Sequence, residues 1–217
     1  MLGHVRGVAY PGLVVIPSPL NRTPEPFARA STVLREVTGR PHVSISEIPA
    51  PGKLAPYALA LGAEVRAEDH PVVPADDDVD ELATGRVVVL YDPDRPSEWD
   101  GEFRVVSYIR AELEHELGHE AMLGSVAWSW LTEALETNDC EVRSIGGTTT
   151  RVLSESFGTL AGRPSTIDLE FRGSWTPVME EPEEIADHLT AWIDLLCTVA
   201  GLPPLPEGVT PLPGRRR

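Results

Sequence analysis

The chain has 217 residues, of which 41% are apolar and 24% charged, ordinary proportions for one globular domain able to bury a proper core. Its 34 acidic residues against 18 basic ones leave a net charge of −16. That charge repels phosphate backbones and argues against a nucleic-acid role, since only the last three arginines are locally basic. No apolar run approaches a membrane span, so a membrane role is also disfavoured.

The N-terminal stretch has a short apolar run broken by Pro11, Pro17 and Pro19, which does not make a signal peptide. It reads as a disordered leader over 1–23 of a cytoplasmic protein, ahead of a single domain over 24–200. Pro24 and Pro26 suit a first helical turn, followed by Phe27, Ala30, Val33, Leu34 and Val37 at helical spacing, with Gly39 and Pro41 as the stop. Val43 to Ile48 is a short extended piece. Tyr57 to Val65 alternates as a half-buried strand, and Arg86 to Tyr91 is apolar on both parities, as a central strand should be.

Phe103 to Ala111 makes the next strand. A helix follows in which Trp130, Leu131, Ala134 and Leu135 share a face, with Glu133 and Glu136 outside it. Two segments, Glu141 to Ile145 and Thr148 to Glu155, flank Gly146-Gly147 and form either a hairpin or one bulged strand. Ile167, Leu169, Phe171 and Trp175 face one way, and Asp168, Glu170 and Arg172 the other. Pro182, Glu183 and Glu184 open a last helix with a buried stripe of Ile185, Leu189, Trp192, Leu196 and Val199, closed by Gly201 and Pro203. Residues 201–217 read as a Pro-rich extended tail.

Runs of strands interrupted by single helices disfavour a doubly wound parallel sheet. They predict an α+β fold, an antiparallel sheet with helices packed on one face, in the order αβββαββα. That order is similar to the fold of type III secretion chaperones, an analogy that carries fold better than function.

One pattern has recognised chemistry. His115-Glu116-Leu117-Gly118-His119 places two imidazoles at i and i+4 on one helical face, as zinc ligands, with Glu116 placed as a general base. The flanks oppose that reading. The positions of a further Gly and His in one zinc-protease class hold Met122 and Ser125. Glu133 and Glu136, candidates for a third ligand, fall on the solvent side of their helix, and Glu112, Glu114 and Glu120 make a wet face. A surface connector is the preferred reading and a zinc hydrolase the alternative.

Other candidates have plainer readings. Asp76 to Glu81 lacks the glycine and spacing of a calcium loop and reads as a solvated acidic loop. Gly146-Gly147-Thr148 lacks the lysine of a phosphate loop, and Ser154 and Ser156 lack a nucleophile-elbow context. Trp128, Trp130, Trp175 and Trp192 sit in elements with a clear buried face and read as core, as does Cys197, taken as a reduced thiol. His42, His70 and His188 are isolated in sequence.

Long blocks carry a family likeness: LAPYALALGAEV, ELATGRVVVLYDP, GEFRVVSYIRAELE, WSWLTEALE, TRVLSESFG, RPSTIDLEFRGSWTP and WIDLLCTVAGLPPLPEGV. Together, over roughly Phe27 to Pro213, they resemble the bacterial family called domain of unknown function 3000. The resemblance implies a cytoplasmic bacterial protein without established activity, and it supplies no catalytic residues. The expected function is therefore non-enzymatic binding, with a protein partner or a second copy, and with no cofactor. Zinc hydrolysis through His115, Glu116 and His119 is the alternative, and a small-molecule binder using the sheet as pocket floor is a third class.

Overall fold

A computed structural model describes residues 23–67, 81–113 and 122–202. The order of elements is α1 (Glu25–Glu36), β1 (Val43–Ile48), β2 (Tyr57–Arg66), β3 (Glu81–Tyr91), β4 (Phe103–Leu113), α2 (Leu123–Thr137), β5 (Val142–Ser154), β6 (Thr166–Pro177) and α3 (Ile185–Val199). The fold is α+β, as expected. The extended piece Val43–Ile48 is a full strand, paired with β2 from Val43↔Val65 to Ile48↔Ala60.

The six strands form one sheet in the order β1-β2-β3-β4-β6-β5, every neighbour antiparallel. Helix α2 connects β4 to β5 across the place that β6 later fills, so β5 becomes an edge and β6 an interior strand. Of the two readings around Gly146-Gly147, the bulged strand is the one found. β5 runs unbroken against β6, with its register shifting between Arg143 and Gly146 and Ser144 held at φ +47°.

The strand period of two sorts the sheet into faces. Odd-numbered residues of β2, β3, β4 and β6, such as Leu61, Val87, Ile109 and Phe171, are buried against the three helices. Trp175 and Trp192 are fully buried there, and each indole N–H finds an acceptor. Trp192 Nε1 donates to Ser107 Oγ at 2.9 Å, and Trp175 Nε1 donates to His188 Nδ1 at 3.3 Å.

Two glycines let the helices approach. A Cβ on Gly85 would stand 2.6 Å from the Trp192 ring, and one on Gly147 would stand 2.5 Å from the Arg172 carbonyl and 2.9 Å from the Trp128 ring. Trp128 and Trp130 are only partly buried, while Cys197 is buried and free, as expected of a core thiol. Arg29 on α1 holds Glu183 at 2.6 Å and Glu181 at 2.7 Å, tying α1 to the turn that opens α3.

The even-numbered face carries no helix among the described residues. A small apolar group of Ala60, Val88 and Leu90 lies there under Ala55 and Trp99. The rest is polar, and it is the face from which a binding surface can be built.

Candidate functional site

On the open face the register sets side chains of β3, β4 and β6 in rows. Arg86 lies opposite Tyr108, and Tyr108 opposite Arg172, whose guanidinium sits 5.2 Å from the tyrosine ring centroid. The next row pairs Arg110 with Glu170, and Arg110 reaches Asp168 at 3.0 Å while Arg172 reaches Glu170 at 2.7 Å. Burial pushes the Tyr108 hydroxyl above its ordinary pKa, with the Glu170 carboxylate adding to the rise.

Arg104 is placed differently. Its guanidinium donates to Ser174 Oγ at 2.7 Å, Thr176 Oγ1 at 3.1 Å and the Ser144 carbonyl at 2.8 Å, all of them neutral acceptors. Ser144 lies in the register shift of β5 and has a positive φ, so the bulge of β5 supplies one of the three contacts. Burial without a carboxylate partner lowers the Arg104 pKa. Arg86 on β3 and Arg143 on β5 are exposed and make no ion pair with the described residues. The face is also grooved. Gly62 leaves a trough of about 400 Å³ bounded by Ser44, Ile48, Glu64, Thr84 and Arg86, and a second of about 290 Å³ lies between Glu81, Thr84, Arg110, Glu112 and Asp168.

The free edge adjoins this face. β5 is 13 residues long and is exposed or only partly buried throughout. Six of the seven large apolar side chains exposed among the described residues lie between Met122 and Leu160, that is, at the start of α2, at the end of β5 and in the β5–β6 connection. The largest exposures are Phe157 at 76% and Met122 at 66%, and the exception is Leu54, near β2. These side chains therefore lie in the segments that lead into and out of the β5 edge.

His115, Glu116 and His119 lie outside the described residues, as do His70 and Asp76 to Asp80; Glu81 opens β3. Glu133 and Glu136 are exposed on α2, as their helical phase predicted. Among the described residues no group of His, Cys, Asp and Glu is arranged to hold a metal ion. His188 is buried, and desolvation lowers its pKa to about 4, so it serves the core as a neutral acceptor. Burial raises Cys140 to about 12, which keeps it a thiol. Ser154 ends β5, and Gly146-Gly147-Thr148 forms part of that strand.

Neither the open-face arginines nor the free edge was singled out from sequence. The available signal was the polar parity of β4, where Arg104, Tyr108 and Arg110 recur at even positions. The family model described as protein of unknown function (DUF3000) matches residues 23–210. The chain belongs to that family. No curated protein matches the chain, and no solved structure does, so the likeness of this family member to secretion chaperones rests on element order alone. No helix among its described residues is long and apolar enough to cross a membrane.

Proposed function

We propose that this chain is a non-enzymatic binding module that associates with a second copy of itself by strand pairing at β5. The observation that carries the reading is the coincidence of a long edge that no described element covers with six of the seven large apolar side chains exposed among the described residues. Composition supports a like partner. From Ser144 to Ser154 the only ionisable side chain is Arg151, so two copies of this strand meet without acid facing acid, despite a net charge of −16 on each chain.

Antiparallel pairing about a dyad at Thr150 sets Val152 across from Thr148 and Leu153 across from Gly147, large against small on both faces. Six strands from each copy then make one continuous sheet. Because the two partners repel each other at long range, screening by salt strengthens the association.

Light scattering on eluting protein over a wide concentration range tests this. A dimer is expected, tightening as salt is raised, and a Thr150→Lys/Val152→Lys double substitution converts it to a monomer that melts where the parent does at concentrations low enough to dissociate it. A wild-type chain that stays monomeric at every concentration, or a dimer indifferent to those two lysines, overturns the proposal.

A further inference from the structure

We propose that the open face of the sheet binds an extended acidic segment of a partner protein, whose carboxylates meet Arg86 and Arg104 while an apolar side chain between them rests over Val106. The charge distribution is the first argument. The whole chain carries −16, yet on this face arginines are as numerous as acids, with Arg66, Arg86, Arg104, Arg110 and Arg172 against Glu64, Glu81, Glu112, Asp168 and Glu170. Three of the acids are already engaged, Glu64 with Arg66, Asp168 with Arg110 and Glu170 with Arg172. Arg86 and Arg104 make no ion pair with the described residues and lie together on β3 and β4, while Glu81 and Glu112 sit at the other end of those strands.

The geometry of Arg104 is the second argument. Three neutral acceptors hold its guanidinium in place and leave donors unused, so the group is positioned before any anion arrives. A carboxylate can add a charge-assisted bond to a cation whose ordering cost is already met. Spacing supplies the third. In the register Arg86 faces Tyr108 and Arg104 lies four positions further along β4, a separation of roughly 13 Å along the strand. An extended segment rises by about 3.3 Å per residue, so side chains at i and i+4 span that distance, with i+2 directed at the same face between them.

Val106 occupies that midpoint, and the buried Val88 and Leu90 lie beside it under Trp99. The trough above Gly62 runs past Arg86, and the one carboxylate in its lining, Glu64, is held by Arg66 at 2.9 Å. The recognised chemistry is therefore acid, apolar, acid at alternate positions of an extended chain. The segment lies on the face of the sheet whereas strand pairing uses the outer backbone edge of β5, so either reading can fail without the other.

The test uses the full chain and a fluorescent peptide with two glutamates four positions apart and a leucine midway, followed by fluorescence anisotropy. Saturable binding is expected, weakening as salt rises, which is opposite in sign to the self-association. Arg86→Glu weakens it about tenfold or more, and Arg104→Gln weakens it with the dimer unchanged. Arg86 is exposed and unpaired, so its reversal leaves the melting temperature in place and a lost signal cannot be put down to unfolding. The proposal is overturned if the peptide does not bind or if Arg86→Glu binds it as the parent does. It is equally overturned if the same peptide with lysines for glutamates, or a single-stranded oligonucleotide, binds as tightly.

Discussion

β1 closes one side of the sheet with six residues, and β5 closes the other with thirteen. The β1 edge carries Ser44, Ser46 and Glu47, and Glu47 is gripped by Arg35 of α1 at 2.8 Å. A short strand with an acid on it, clasped by the neighbouring helix, is poorly suited to pair with anything else. β5 has no acid between Ser144 and Ser154, and its far end runs into exposed Val152 and Leu153. Both strands belong to one sheet and lean on one core, so the contrast arises at the edges themselves.

The contrast presumes that the core holds both edges equally, and acid is the largest lever on that core. His188 sits in α3, accepts the Trp175 indole proton and has a pKa lowered to about 4 by desolvation. Between about pH 6.5 and pH 4 the unfolded chain binds a proton there and the folded one does not. Stability is therefore full above the unfolded pKa and falls as the pH drops through this window, by about 3 kcal/mol in all. Urea titrations from pH 7 to pH 4.5 should show the fall, and His188→Gln, which keeps an acceptor for Trp175, should flatten it. A fall of the same size in that variant assigns the acid sensitivity to carboxylates instead.

The next largest effect separates the two sides directly. Alanine at Gly147 puts a Cβ against the Arg172 carbonyl and the Trp128 ring, and backbone cannot yield as a side chain does. The cost is about 1–3 kcal/mol, borne by the contact between α2 and β5. Alanine at Gly62 meets only Ile48 Cγ2 at 3.2 Å, the flexible part of a neighbour near the β1 edge, and should cost a small fraction of that. Melting curves for both variants decide the matter. Equal destabilisation would show that β5 is no more tightly fitted against its helix than β1 and β2 are against each other.

These features were unequally visible in the sequence, for a physical reason. Alternation fixed the buried parity of β6 from Ile167, Leu169, Phe171 and Trp175 alone, because burial selects residue type directly. The stripe of α3 was legible in the same way. Register leaves no such mark. Nothing local says that Arg86 faces Tyr108, or that Arg104 reaches a carbonyl 40 positions away at Ser144, so the open-face arginines read only as the wet half of separate strands. Edge position is also non-local: β5 is an edge because β6 inserts beside β4. The one motif that did stand out, His115-Glu116-Leu117-Gly118-His119, falls outside the described residues.

The smallest expected effect concerns the closed edge. Arg35 and Glu47 are both about half exposed, and an ion pair in that setting contributes little to folding, because solvent screens it and two long side chains are immobilised. Arg35→Ala should therefore leave the melting temperature where it was. Its consequence should appear in association, since it frees an acid on a strand that still presents unpaired backbone groups. If Glu47 alone keeps β1 from pairing, the variant remains a dimer through β5 and forms nothing larger. If the clasp by α1 is what closes this edge, the same substitution yields higher oligomers by light scattering, because each chain then has two usable edges and the sheet can extend in both directions. A variant carrying Arg35→Ala together with Thr150→Lys and Val152→Lys separates the cases. It stays monomeric if the acid suffices and dimerises through β1 if the clasp was needed.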